Sequence, residues 1–283
     1  MEGSKLKNIV IVILVLLNLF LLVLSGGRRM QDARSRDEAR TAAVEVIHQG
    51  GVTLDEQVVP DEMSLLPMAA ERDLKSEILQ ARALLGGEVE AHARGGEVYR
   101  YENEAGWLQV HSTGQYSARM EPGLALSEQE QPAEHAAALM QLLEMECRVV
   151  TCDVVNGRGE VVLNQTLNGA DLLDCQVSVQ YQDGCAVQIT GSRRLLGQAQ
   201  RSGGTPVTVA TALMRLYNGL NDMGDVYNTI RNINPAYVLS AEGAGSMRLT
   251  PVWQVETDTG TYRLDTLTGV LTRTGDLVRQ GEK

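Results

Sequence analysis

The chain has 283 residues, with 25 Lys or Arg against 36 Asp or Glu, for a formal net charge of −11. Its 43% hydrophobic and 22% charged content is that of a folded protein, not a disordered one. Six basic and two acidic residues fall within positions 1–36, so the remainder is strongly acidic, which argues against nucleic acid as a partner because phosphates need a basic face.

Ile9 to Leu24 run apolar except for Asn18, and Leu6 and Ser25-Gly26-Gly27 extend the stretch. Spanning a bilayer takes about 20 apolar residues, and this segment meets that. Lys5 and Lys7 flank one end and Arg28 and Arg29 the other, placing cations at both headgroup layers. The spacing predicts a cytoplasmic stub at 1–7, a transmembrane helix at 8–27, and an exported remainder in the cell envelope, because no second apolar run returns the chain. The competing reading is a cleaved signal peptide, with Ser25-Gly26-Gly27 as its small-residue site. Asn18 lies deep in the apolar run. It either bonds to a partner helix, at about 0.6–2 kcal/mol, or to its own backbone.

Residues 31–48 read as a helix leaving the membrane, closed by Gly50-Gly51, and residues 28–60 form a juxtamembrane helix and linker. From there one theme recurs three times: a helix, then a meander of short strands. The first helix is expected over Ala70 to Leu85, with Leu74, Ile78, Leu79 and Ala81 on its apolar face. Strands follow at Glu88–Arg94, Glu97–Glu102, Trp107–His111 and Gln115–Met120. The second helix spans Ala133 to Glu146. Its strands are Cys147–Val155, Glu160–Leu163, Leu173–Gln180 and Ala186–Thr190, with turns at Asn156-Gly157 and Asp183-Gly184. The third helix begins near Pro206 and a second helical piece covers Val226–Ile233. The last strands are Ala236–Ala241, Met247–Glu256, Gly260–Leu264 and Val270–Arg273. The expected class is α+β, with helices packed on antiparallel sheets, divided into a first region at 61–200 and a C-terminal region at 201–283.

Chemistry is sparse. His48, His92, His111 and His135 are solitary, without metal-ligand spacing, and read as surface or half-buried residues; no metal or cofactor is expected. Cys147, Cys152, Cys175 and Cys185 fall in one sheet region without a CxxC pair. They are candidates for disulfides between strands, with buried free thiols as the alternative. The Asp183-Gly184 turn sets Cys185 opposite Gln182. Ser4 to Lys7 formally fits SxxK but lies in the short tail without an SDN or KTG partner, and no GxSxG or P-loop occurs, so no enzymatic activity is expected.

The basic stub, the Asn-bearing helix in KLKNIVIVILVLLNLFLLVL and the closing pattern LTPVWQVETDTGTYRLDTLTGVLTR, from Leu249 to Arg273, resemble the YycI family. That family and its relative YycH are single-pass membrane proteins of Gram-positive bacteria, associated with the sensor kinase of a cell-wall two-component system. The resemblance implies helices on antiparallel sheets and a C-terminal part similar to the PepSY module. It also implies a sensor histidine kinase as partner, with a YycH-like protein as a further one, contacted through the helix that carries Asn18. Two other readings stand beside it: an exported PepSY-like binding or inhibitory module acting on a peptidase or peptide, and a hydrolase with an unrecognised site. A hydrolase would show a deep pocket with converging acids or histidines.

Overall fold

The computed structural model describes residues 31–127, 130–243 and 245–274, together with Leu14. The expected transmembrane segment at 8–27, Asn18 included, lies outside the described residues apart from Leu14. Among the described residues no helix is long and apolar enough to cross a membrane.

Helix α1 occupies residues 31–49 of the described chain and buries Ala43, Val44 and Ile47, while most of its other residues are exposed, Val46 among them. After β1 (Thr53–Leu54), a 3-10 turn at Glu56–Val58 and β2 (Met68–Glu71) comes α2 (Leu74–Leu85). A meander follows: β3 (Glu90–Ala93), β4 (Tyr99–Asn103), β5 (Gly106–Val110) and β6 (Tyr116–Ala125). Helix α3 (Pro132–Leu142) leads into β7 (Glu146–Val155), β8 (Arg158–Leu167), β9 (Ala170–Gln182) and β10 (Cys185–Gly191). The rest is β11 (Gln200–Arg201), α4 (Val209–Asp222), β12 (Thr229–Ala241), β13 (Ser246–Thr257), β14 (Thr261–Asp265) and β15 (Leu271–Arg273). The fold is mixed α+β, with four α-helices among the described residues and an antiparallel-dominated sheet.

The expected helix at Ala70–Leu85 starts later than its sequence suggests. Met68–Glu71 pair with β13, from Leu249↔Met68 to Ser246↔Glu71, and the helix begins only after Asp73, whose carboxylate accepts from the Lys75 and Ser76 N–H groups. Its apolar face also differs. Leu79 is 60% exposed, and the buried side carries Glu77, Gln80, Ala81, Leu84 and Leu85. The third helix starts at Val209 behind a Thr208 cap, and the expected helical piece at Val226–Ile233 does not form. Gly224, at φ 70, closes the preceding helix, and from Thr229 onward the chain runs as β12 along β13.

Three hairpin turns carry the middle of the chain: Asn156-Gly157, Asn168-Gly169 and Asp183-Gly184. Both residues of each have positive φ, the backbone that two-residue turns of type I′ demand and that Asn, Asp and Gly adopt at least cost.

Two cores result. The first gathers Leu84, Leu108, Met140, Leu163 and Ile189 beneath α2 and α3 and reaches Leu239 and Leu249 on β12 and β13. The second packs α1 and α4 on the C-terminal strands, through Ile47, Leu213, Leu216, Trp253 and Tyr262. The halves meet where β12 runs parallel to the start of β9, with Ala236–Val238 beside Asp171–Leu173. One defect shapes that meeting point. The β8–β9 register passes from Asn164↔Gln176 to Thr166↔Asp171, so Gln165 has no β9 partner and the longer β9 segment bulges, with Asp174 at φ 62. Such bulges bend a strand and re-aim its side chains.

Candidate functional site

A cleft of about 750 Å³ opens at this bulge. One wall is the first turns of α2, with Ser76, Leu79 and Gln80; another is the start of β7 and the end of β8; the third is the loop 193–199. That loop has no ladder of its own and is pinned by backbone bonds, from Arg194 N–H to Gly114 O at 2.9 Å and from Asp73 N–H to Leu196 O at 2.9 Å. It runs so close to β2 that a Cβ at Gly197 would lie 2.0 Å from Glu71 O.

Arg194 and Gln165 line the cleft and are 2% and 4% exposed. The Arg194 guanidinium lies 5.5 Å from the Tyr116 ring. Its Nη2 donates to Gln80 Oε1 and, at 3.4 Å, to Leu143 O; its Nε donates to Leu195 O at 3.2 Å. Nη1 of Arg194 and Oε1 of Gln165 are buried with no hydrogen-bond partner. Leaving such groups unpaired costs about 1–3 kcal/mol each, and the same holds for the Nε atoms of Arg40, Arg82 and Arg263 elsewhere in the fold.

Two of the cleft's three acids are engaged, Asp73 as the cap of α2 and Glu144 by side chains, while Glu146 is exposed. Glu144 Oε2 accepts from Ser76 Oγ and Gln80 Nε2, each at 2.8 Å, and these bonds hold its carboxyl below the usual carboxylate range. It is therefore ionised at neutral pH and ill-placed to hand over a proton. Burial lowers the Arg194 pKa, a shift opposed by Tyr116, Glu77 and Glu144.

The residues expected to carry function do not converge here. Asn18 is outside the described residues. Cys147 is cross-strand from Gln165 and Cys152 from Val161; Cys175 is buried in the first core; Cys185 lies opposite Gln182. All four are free thiols. Burial pushes the Cys147 and Cys175 thiols up to about 12, the opposite of what a thiolate nucleophile needs. The histidines are scattered, and among the described residues no group of side chains could hold a metal ion. His135 departs from its expected exposure: it is 8% exposed, with Nδ1 2.8 Å from the Tyr181 hydroxyl. The residues of the cleft went unmarked in the sequence. The available signal was the Arg193-Arg194 pair, two adjacent cations directly after a strand, in a stretch without acids from 184 to 221.

Neither a family model nor a curated protein matches the chain. Among solved structures, an uncharacterized protein from Eubacterium rectale is similar at 10% identity over 74% of this chain and 86% of its own, with a TM-score of 0.42.

Proposed function

We propose that the chain is a single-pass, membrane-anchored regulatory protein whose folded part lies outside the cytoplasm and acts by binding rather than by catalysis. The observation that carries this reading is the cleft, which presents apolar surface from Met68, Leu79, Leu167 and Leu195 while Glu144 is engaged by Ser76 and Gln80. Such a site presents a surface to a partner, with Asp73 and Glu144 held in hydrogen bonds and Glu146 exposed. The resemblance to the YycI family makes that partner a sensor histidine kinase, accompanied by a YycH-like protein. Regulation then follows from differential affinity: the protein biases the kinase only so far as it binds one signalling state more tightly than the other.

Crosslinked co-purification from native membrane tests this, comparing wild type with Asn18→Leu. Recovery of a sensor kinase by wild type, reduced in the variant, supports regulation with a contact in the bilayer. Recovery of a peptidase instead moves the reading to an exported PepSY-like binding or inhibitory module, which the position of the cleft on the folded body also favours. That alternative expects activity to survive loss of the anchor.

A further inference from the structure

We infer that residues 151–155 of β7 take up an added strand, supplied by a partner segment in which a cationic residue stands between two aliphatic ones. This goes beyond the regulatory reading and holds whichever protein supplies the strand. Among the described residues β7 pairs with β8 alone. Its other edge therefore keeps a row of unpaired N–H and C=O groups, the template on which strands add. The remaining terminal strands are too short or too charged to serve. β1 and β11 have two residues each, β15 three and β3 four, and His92 of β3 faces Glu90 and Glu102 at 3.4 and 3.5 Å. By contrast β7 has ten residues, with neither Lys nor Pro among them. Its one bulge falls at Val150, between Val149↔Leu163 and Thr151↔Val162, and past it 151–155 run in unbroken register with 158–162.

The side chains along this edge specify what pairs with it. Asp153 stands directly opposite Glu160, and like charges so placed destabilise a ladder. The nearby Arg158 does not relieve them, since Asp183 holds it at 2.7 Å. On the far side of Glu160 the row continues through Gln180 to Gln188, without a cation. The open position in that row is the one beside Asp153, which an added strand fills, and a Lys or Arg there offsets the repulsion. The other face of β7 is apolar. Cys152 lies opposite Val161 of the first core and is nonetheless exposed, and Val154 packs against the same core while only half-buried. Aliphatic side chains on either side of the cation extend that core past its present edge.

The test uses the full-length protein in detergent micelles and three probes: Ac-Thr-Val-Lys-Val-Thr-NH2, the same peptide with Glu in place of Lys, and the Lys peptide N-methylated at its Val and Lys nitrogens. Calorimetric titration is expected to show the Lys peptide binding about tenfold more tightly than the Glu peptide, and the N-methylated peptide not binding. Hydrogen exchange is expected to slow at the amides of 151–155 when the Lys peptide is added and to stay unchanged in β3. In Asp153→Lys, a substitution at an exposed position, the order of the Lys and Glu peptides inverts. The comparison of probes on the unaltered protein needs no variant to fold. Equal binding of the N-methylated peptide, a Lys preference that survives Asp153→Lys, protection that falls elsewhere, or no binding at millimolar concentration overturns the inference. Protection of 151–155 that grows with protein concentration in the absence of peptide assigns the edge to a second copy of this chain and overturns it as well.

Discussion

Two buried polar clusters decide what single substitutions will do. Glu77 is 1% exposed on its side chain and Arg72 9%, with Arg72 Nε donating to Glu77 Oε1 at 2.8 Å and the Tyr101 hydroxyl to Glu77 Oε2 at 2.7 Å. Burial, then the Glu77 carboxylate, raises the Tyr101 pKa well above the ordinary phenol value. Removing the acid strands a buried cation, so Glu77→Ala is expected to cost about 3–5 kcal/mol. Tyr101→Phe, which removes one hydrogen bond to a charge, is expected to cost about 1.5–3 kcal/mol; urea unfolding measures both. His135 gives a pH signature. Burial lowers its pKa against the opposing pull of Glu130, with the Tyr181 hydroxyl facing it. The unfolded chain therefore takes up the proton first. The stability contributed by neutral His135 is complete above the unfolded value of about 6.5 and declines as pH falls from there toward the lower folded value. Melts at pH 7.5 and 5.5 should show that decline in wild type and a flatter response in His135→Gln. None of this was readable from sequence, because a Glu or His on a helix looks solvated until its partners are known, and Tyr101 and Tyr181 lie more than twenty residues away.

At the scale of elements, much was readable where the signal is local. Asn156-Gly157 and Asp183-Gly184 stand out because their backbone conformation belongs to the residues themselves, and the hairpins they close follow. Asn168-Gly169 carries the same chemistry, but the bulge beside it interrupts the strand periodicity at Gln165 and Asp174, so the β8–β9 hairpin does not announce itself. Helix α2 misled for the converse reason. Its polar buried positions, Glu77 and Gln80, break the apolar stripe, and periodicity then favours Leu79. The correction is testable: Leu79→Lys should change stability by less than about 0.5 kcal/mol, whereas Leu84→Ala, 1% exposed in the first core, should cost about 2–5 kcal/mol. Equal losses by denaturant unfolding would restore the original helix face.

The whole molecule depends on how its two cores are joined. The parallel seam between β9 and β12 is only three residue pairs long, and beside it the bulged Asp174 of β9 holds Arg263 of β14 through two bonds, at 2.6 and 2.8 Å. Arg263 is 8% exposed, and its hydrogen bonds hold the Asp174 carboxyl below the usual carboxylate range. A depressed carboxyl contributes stability that is full above its unfolded value of about 3.9 and is lost as pH falls through the folded one. Because Asp174 remains 57% exposed, solvent screening reduces the worth of the pair, and Asp174→Asn should cost about 1–2 kcal/mol at neutral pH while flattening the acid limb below about pH 4. The two tryptophans report on the two halves. Trp107 lies on β5 under Arg100, 4.5 Å from its ring, and Trp253 is buried in the second core. In single-tryptophan proteins made with Trp253→Phe or Trp107→Phe, the two fluorescence transitions in urea should coincide while the joint is intact. Adding Asp174→Asn should separate their midpoints, because each core then unfolds against its own contacts rather than against the shared bulge. Midpoints that stay together would mean that the sheet itself, through β12 and β13, couples the halves, and that the ion pair serves only to satisfy a buried guanidinium.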